Sequence, residues 1–126
     1  YSLSRVRLTG RLLERIEMAC DGRLAWLAAR REDFAQTGAV PADTEDVVNE
    51  CFRIVGVECA FIAHEQRDGR VKVSFRSRGD VDVAAVAEGF GGGGHRQASG
   101  ALFDGPFDQG LARLIDAMSI VLSAKT

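Results

Sequence analysis

The sequence predicts an α+β domain, with a mixed sheet of about four strands that includes a β-hairpin and packs with several helices. Two observations support this fold class. Two strand-like segments, of which the second alternates cleanly between apolar and polar residues, flank Asp68-Gly69, a dipeptide that favours the positive φ angles of a tight hairpin turn. Towards the C-terminus, apolar residues recur every three or four positions from about Asp108 to Leu122, the period of an amphipathic helix. The sequence has no internal repeat and no long linker.

The first part of the chain predicts a helix, a strand and a second helix. Apolar residues at helical spacing predict a helix from about Ser4 to Ala19. The run from Leu24 to Ala29 is nearly continuous in apolar residues, which predicts a strand covered on both faces. After a polar segment, Asp43 or Thr44 is a candidate N-cap for a helix that ends at Gly56.

The second strand of the hairpin carries a row of polar side chains. Because side chains alternate across a strand, its apolar residues face the core and its polar residues share the other face, namely Lys72, Ser74, Arg76 and Arg78. Arg guanidinium groups match phosphate oxygens in pairs, and a Ser hydroxyl adds a further hydrogen bond. The row is therefore either a phosphate-binding surface or the solvated outer face of an antiparallel sheet.

A glycine-rich run follows the hairpin. A short helix is expected to start near Asp80 or Asp82 and to stop at Gly89, and a small strand is expected from Ser99 to Phe103. Between them lies "FGGGGHRQASG", in which four consecutive glycines precede His95. Glycine loses more conformational freedom on folding than any other residue, so such a run needs a physical reason.

Two explanations of the glycine run are open. A glycine-rich loop that enters a helix N-terminus presents unpaired backbone N–H groups to an anion, and "HRQAS" could open such a helical turn. His95 would then place its imidazole beside the same anion. The alternative is a flexible loop or a tight crossing of two elements, with His95 an ordinary surface or core histidine. The run matches neither a Walker loop, because no Lys-Ser/Thr follows, nor a dinucleotide fingerprint, because it follows a helix.

Composition excludes several classes of function. The chain has 126 residues, 46% of them hydrophobic, and a formal net charge of -2, so it suits one domain without a global basic field for nucleic acid. No apolar run approaches the ~20 residues of a membrane span. Three cysteines without a CxxC pair indicate free thiols and a cytoplasmic location. The residues assemble no Ser/His/Asp or Cys/His catalytic arrangement and no set of metal ligands.

The string "GGGGHRQASG" resembles the GGGH-x-x-A-x-G signature of the DHHA1 domain, the substrate-binding domain that follows the catalytic DHH domain in DHH-family phosphoesterases. Residues 21–39, 43–79 and 82–95 also resemble, in order and spacing, the subfamily of bacterial nanoRNases. These enzymes are oligoribonucleases that also dephosphorylate bisphosphorylated adenosine. The resemblance covers nearly the whole chain, roughly Leu3 to Leu122.

The resemblance implies a division of labour between two domains. In the family, the DHH domain holds manganese ions through Asp and His residues and activates water for phosphodiester hydrolysis, and this sequence contains none of those motifs. It is therefore expected to be the C-terminal part of such an enzyme, with residues 1–20 as a linker helix from the DHH domain and 21–126 as the DHHA1 domain. No catalytic or metal-binding residue is expected in this chain, which should be inactive by itself.

The resemblance also implies which residues bind phosphate. These are the glycine loop, the following histidine and polar residues of the second hairpin strand, namely Gly92, Gly93, Gly94, His95, Arg76, Arg78 and Ser74, with Asn49 a weaker candidate. Arg96 replaces a commoner small residue and is expected to add a phosphate contact. The expected ligands are short RNA oligonucleotides or a mononucleotide bisphosphate, and the expected protein partners are the DHH domain and a second copy in a homodimer.

Several alternatives stay open at this point. Within the superfamily, the chain could belong to a single-strand exonuclease, a polyphosphatase or a cyclic-dinucleotide phosphodiesterase. A different class is a non-catalytic DHHA1 module that binds tRNA or mediates assembly. The tRNA role favours a basic surface, whereas this chain has 16 Lys and Arg against 18 Asp and Glu.

Overall fold

A computed structural model describes residues 1–124. Six strands form one sheet: β1 (Glu17–Ala19), β2 (Leu24–Ala29), β3 (Cys59–Glu65), β4 (Val71–Ser77), β5 (Gly93–His95) and β6 (Ala98–Phe103). The α-helices in this part of the chain are α1 (Leu3–Glu14), α2 (Arg31–Thr37), α3 (Val83–Glu88) and α4 (Phe107–Ser123), with 3-10 helices at Pro41–Thr44 and Val47–Arg53. The predicted α+β class is confirmed, and two three-residue strands raise the strand number above the four expected.

The sheet is mixed, with strand order β1-β2-β3-β4-β6-β5. Strands β2 and β3 run parallel, and every other neighbouring pair is antiparallel. The predicted hairpin is confirmed: β3 and β4 pair across a turn in which Gly69 has a φ of 88°. The Asp68 carboxylate accepts a hydrogen bond from the Arg70 backbone N–H at 3.0 Å, which fixes the turn.

The first helix ends earlier than predicted. It stops at Glu14, and residues expected to continue it form β1, where Glu17 pairs with Trp26. The apolar spacing continues past the end of the helix because Ile16 still packs against the same core as Leu8 and Leu12. The apolar spacing of this segment is compatible with a helix or with a strand, and pairing with β2 decides for the strand.

The polar segment after β2 contains a helix that the sequence reading did not identify. The carboxylate of Asp33 accepts hydrogen bonds from the Arg30 backbone N–H at 2.8 Å and from the Arg15 guanidinium at 2.7 Å, which anchors the start of α2. Burial opposes ionisation of Asp33, but these hydrogen bonds outweigh it, so the pKa of Asp33 lies below its ordinary value. Gly38, in the left-handed region at φ 79°, ends the helix.

The helix predicted between Asp43 or Thr44 and Gly56 is wrong in type. Two 3-10 helices occupy this region, separated by Asp46 in the left-handed conformation at φ 68°. The Asp43 carboxylate accepts from the Val40 N–H, and the Thr44 hydroxyl donates to the Pro41 carbonyl, so neither caps an α-helix. The apolar residues on which the prediction rested do face the core.

A hydrophobic core lies on each face of the sheet, and helices cover one face more completely than the other. Helices α3 and α4 cover one face, packing around Phe61, Phe75 and Leu114. On the other face, α1, α2 and the 3-10 helices cover β2 and β3 around Leu8, Leu27 and Val48. The same face is uncovered over much of β4 and β6 and over β5, and we call this region the open face. It is the side of the sheet that can receive a ligand.

The C-terminal helices match their predictions. Asp82 caps α3 by accepting from the Ala84 and Ala85 N–H groups at 3.0 and 3.3 Å. Helix α4 lies within one residue of its predicted ends and buries Leu111, Leu114 and Met118. Across residues 1–124, no helix combines the length and apolar character needed to cross a membrane.

Candidate functional site

Cross-strand register brings three residues of the predicted polar row onto the open face, together with Gly93 and His95. Residues paired directly across antiparallel strands point to the same side of the sheet. One row joins Arg76, Ala98 and His95, and the next joins Ser74, Gly100 and Gly93. Between the β4 side chains and β5 the surface is thus formed by Ala and Gly, which leaves a low floor about 10 Å wide, or two strand spacings.

The β4 part of this face carries unpaired positive charge. Lys72 is exposed and Arg76 half-buried. Arg76 donates to the carbonyl of Phe75 at 2.8 Å. Within residues 1–124, no carboxylate oxygen lies within 4.0 Å of either cation. The alternation predicted for β4 is confirmed, with Val71, Val73 and Phe75 buried on the other face. A cation without an acidic partner is free to bind an anionic ligand.

A cavity of about 540 Å³ opens beside the open face. Its lining combines side chains from β3 and β4 with the segment that carries the two 3-10 helices: Pro41, Ala42, Thr44, Glu45, Asp46, Val48, Ile62, His64, Gln66, Lys72, Ser74 and Arg76. The volume lies in the range of small-molecule sites. The sequence reading did not identify this cavity, because the 3-10 segment that forms its second wall was read as one regular helix.

His64 is a cavity residue that was not among the site residues expected from the sequence. It is 6% exposed, and its Nε2 atom has no hydrogen-bond partner in the described part of the chain. Its ring contacts Phe34 edge to face at 6.0 Å, and it pairs across the strands with Lys72. Burial lowers the pKa of His64 to about 4, with a further contribution from Lys72. The imidazole is therefore neutral at pH 7.

We expect replacement of His64 by Leu to remove a pH dependence of stability. Because the folded pKa is depressed, the unfolded chain takes up the proton first as the pH falls from 6.5 towards 4. The free energy of unfolding of the wild type should fall by roughly 3 kcal/mol over this window. His64→Leu should lack that loss and be at least as stable at pH 7, because an unpartnered polar atom is removed. Urea denaturation of both proteins at pH 4 to 7 measures the difference, and parallel curves would contradict the assignment.

The glycine run is a strand and a turn rather than a loop entering a helix, so the predicted helical turn at "HRQAS" is wrong. Strand β5 and the start of β6 form a hairpin whose turn is Arg96-Gln97. The Arg96 carbonyl accepts from the Val83 N–H at 2.8 Å and the Gln97 carbonyl from the Ser77 N–H at 3.0 Å, which holds this hairpin against the sheet. A helix N-terminus is therefore not the source of an anion site here.

The glycines of the run have different roles. A Cβ on Gly92 would collide with the Gly100 carbonyl oxygen, and one on Gly94 would lie 2.7 Å from the Ser99 Cα. These two glycines permit a tight crossing of β5 and β6, the alternative left open by the sequence. Gly93 has open space at its Cβ position and no positive φ. Its freedom from a side chain is therefore not required by the fold.

The edge of the sheet retains one feature of the predicted anion site. Strand β5 is the last strand of the sheet, so its outer side has no neighbouring strand. Gly94 has a φ of 145°, a conformation that L side chains rarely adopt. The next residue, His95, is exposed and pairs with Ala98 on the open face.

The remaining predicted contacts lie away from the cavity or are already engaged. The Arg78 guanidinium donates to the Val57 carbonyl at 2.8 Å and lies over the Phe52 ring at 5.3 Å. Arg96 donates to the Asp80 carbonyl at 2.7 Å. Asn49 is exposed on the second 3-10 helix and does not line the cavity. Of the predicted residues, the structure thus gathers Ser74, Arg76, Gly93 and His95 on the open face.

The described residues offer no site for a metal ion of the kind expected in a DHH enzyme. Residues 1–124 contain no group of three or more His, Cys, Asp or Glu side chains placed to hold one. The thiols of Cys51 and Cys59 are buried, which raises the pKa of each to about 11 and keeps them protonated.

Comparison with known proteins gives the family. Residues 26–124 match the DHHA1 domain. The chain belongs to the DHHA1 domain family found in DHH-family phosphoesterases, as the glycine and histidine signature predicted.

Individual relatives agree with this assignment. The chain is 33% identical over 113 residues to the bifunctional oligoribonuclease and PAP phosphatase NrnA of Thermus thermophilus, covering 89% of this chain and 33% of that protein. It is 34% identical over 85 residues to the cyclic-di-AMP phosphodiesterase GdpP of Geobacillus thermodenitrificans, covering 68% of this chain and 12% of that protein. The crystal structure of an exopolyphosphatase-related protein from Bacteroides fragilis superposes with a TM-score of 0.85 at 28% identity, over 98% of this chain and 35% of the other. The chain spans about a third or less of the length of each.

Proposed function

We propose that this chain is the substrate-binding domain of a manganese-dependent DHH-family phosphodiesterase that degrades very short RNA and dephosphorylates adenosine bisphosphate. The open face holds the phosphates of the substrate, and a DHH domain of the same protein supplies the metal centre. A two-metal centre stabilises the attacking and leaving oxygens of phosphodiester hydrolysis. The residues of this chain bind and orient the phosphate for that step.

One observation carries the proposal: an uncovered half of a sheet face that presents cations without acidic partners. A phosphate placed on Ser74 can accept from its hydroxyl and from the side chains of Lys72 and Arg76, which lie two residues to either side. A second phosphate of the same nucleotide can reach His95 across the Ala and Gly floor. Relatives that act on oligonucleotides and nucleotide phosphates support this ligand class.

A cyclic-dinucleotide phosphodiesterase is the second candidate, because GdpP matches at a similar identity over a shorter stretch. Both candidates place phosphates on the same face, and they differ in whether the ligand has a free terminal phosphate. Homodimerisation and a cytoplasmic location stay predictions.

We expect the 126-residue chain to bind adenosine 3′,5′-bisphosphate and to bind adenosine at least about tenfold more weakly, since hydrogen bonds to charged phosphates are lost. Affinity for the bisphosphate should fall with added salt. Isothermal titration with both ligands, with a linear diadenylate and with a cyclic dinucleotide separates the two candidates. Manganese should produce no hydrolysis by this chain. Equal affinity for adenosine and its bisphosphate would overturn the proposal.

A further inference from the structure

The cavity beside the open face has walls of opposite charge. Lys72 and Arg76 of β4 form the cationic wall. Glu45 and Asp46, from the connection between the two 3-10 helices, form the acidic wall. Within residues 1–124, no nitrogen of the cationic wall lies within 4.0 Å of a carboxylate oxygen, so the charges of the two walls do not form ion pairs. The cavity keeps the two walls apart.

A ligand complementary to these walls must be anionic at one end and rich in hydrogen-bond donors at the other. Phosphate satisfies the cationic wall, as in the proposed function. A carboxylate accepts hydrogen bonds and donates none when ionised, so the acidic wall selects N–H groups and rejects carbonyl oxygens. The exocyclic amino groups of adenine, guanine and cytosine are donors of this kind, as are the ring N–H groups of guanine, hypoxanthine and uracil, and an amino group adds one donor to a base that otherwise stays the same.

The cavity lining also includes two apolar side chains and one imidazole. Val48 and Ile62 are 1% and 5% exposed, so they offer a planar ring a small apolar contact area. His64 adds a neutral imidazole, whose Nε2 atom has no partner among the described residues. A buried polar group left without a partner costs stability, which is typical of sites that bind a ligand.

The backbone at the acidic wall supports a role for Asp46 in particular. Asp46 has a φ of 68°, in the left-handed region that residues other than glycine rarely occupy. Left-handed non-glycine residues concentrate at ligand sites, and Asp is among the residues that tolerate this conformation. The segment turns at this residue, between the 3-10 helices ending at Thr44 and beginning at Val47, and the turn places it in the cavity lining.

We propose that the cavity is a nucleobase pocket that prefers bases carrying an amino group, with Asp46 as the acceptor that determines this specificity. The phosphate of the same nucleotide lies on Ser74 between Lys72 and Arg76. This inference rests on the proposed function and deepens it by naming the part of the substrate that the domain distinguishes.

Nucleotide pairs that differ in an amino group test the proposal. The 126-residue chain is titrated with AMP and purine riboside 5′-monophosphate, with GMP and IMP, and with CMP and zebularine 5′-monophosphate, so that the members of each pair differ in the amino group alone. The nucleotide with the amino group should bind about tenfold tighter in each pair, the effect of one hydrogen bond to a charged acceptor. Asp46→Asn keeps the size of the side chain and its tolerance of a left-handed φ, and should reduce each ratio to within about twofold. Lys72→Met should weaken binding of all six nucleotides alike.

Asp21→Asn is the matched control. Asp21 also has a left-handed φ, 55°, but is exposed and does not line the cavity, so its replacement should leave every ratio unchanged. Nucleotide binding with equal affinity within each pair would overturn the base pocket and leave the phosphate site standing. If Asp46→Asn leaves the affinity ratios unchanged, Asp46 is not the residue that determines the base specificity. If no nucleotide binds at all, both the pocket and the proposed function are wrong. The wild-type ratios decide the matter even where Asp46→Asn fails to fold.

Discussion

Gly92→Ala should destabilise the domain by about 2–3 kcal/mol, because the added methyl group collides with a neighbouring strand. The Cβ of an alanine at this position would meet the Gly100 carbonyl oxygen and would lie 2.7 Å from the Cα of Ala101. Both are backbone atoms, which cannot move away without opening the β5–β6 hairpin. The Gly92 N–H also donates to the Ala87 carbonyl at 2.9 Å, which ties this position to α3.

Gly93→Ala is the matched control one residue away. Its Cβ meets no atom within 4 Å, and its φ lies outside the left-handed region. We expect a stability within about 1 kcal/mol of the wild type, with any gain coming from the lower entropy of the unfolded chain. Urea denaturation of the two variants measures the contrast. Similar losses of stability in both variants would mean that the whole glycine run is tightly packed. If neither variant loses stability, the tight crossing of β5 and β6 is wrong.

Arg76→Met should weaken binding of adenosine 3′,5′-bisphosphate about tenfold to a hundredfold. The substitution keeps an unbranched apolar stem but removes the guanidinium that faces the open face, and a hydrogen bond to a charged group contributes about 1.5–3 kcal/mol. Folding should be little affected, because the side-chain hydrogen bond of Arg76 goes only to the carbonyl of its neighbour Phe75. Calorimetric titration of the 126-residue chain gives the two affinities.

Arg78→Met tests whether nucleotide binding depends on the position of Arg76 or only on its positive charge. Arg78 has the same side-chain charge as Arg76 and comes two residues later, but its guanidinium binds the Val57 carbonyl and lies over Phe52. We expect it to change nucleotide affinity by less than about threefold and to lower stability slightly. If both variants lose affinity equally, general electrostatic attraction explains the binding and a defined phosphate site on β4 does not.

The local signals of the sequence predicted the parts of the fold that depend on short-range chemistry. The Asp68-Gly69 turn, the alternation of β4 and the period of α4 are each fixed by residues close in the sequence. Strand β1 could not be predicted in this way. Its three residues are extended because they pair with β2. Ile16 keeps the helical spacing because it packs against the same core as α1. The contact of Asp33 that caps α2 lies in a segment with too few apolar residues to show a helical period.

The sequence predicted the site residues that belong to a motif or to an alternating strand. It did not predict the cavity, which is formed by segments distant in the sequence. Arg76, Ser74, Gly93 and His95 came from the motif and from strand alternation, and the cross-strand register places them on one face. Gly92 and Gly94 belong to the same motif, but backbone crowding explains them. The cavity combines a wall near Asp46 with His64 and Lys72. An unpaired buried nitrogen and a left-handed Asp have no signature in a sequence.

Chemical-shift mapping on the ¹⁵N-labelled 126-residue chain tests the central claim, that the open face binds the phosphates of a nucleotide. Titration with adenosine 3′,5′-bisphosphate should move the amide signals of Ser74, Arg76, Gly93 and His95 most, together with their neighbours on β4 and β5. The amides of α4, on the opposite face of the sheet, should shift little. The largest shifts on α3 and α4, or no shifts at a millimolar concentration of the ligand, would contradict the account.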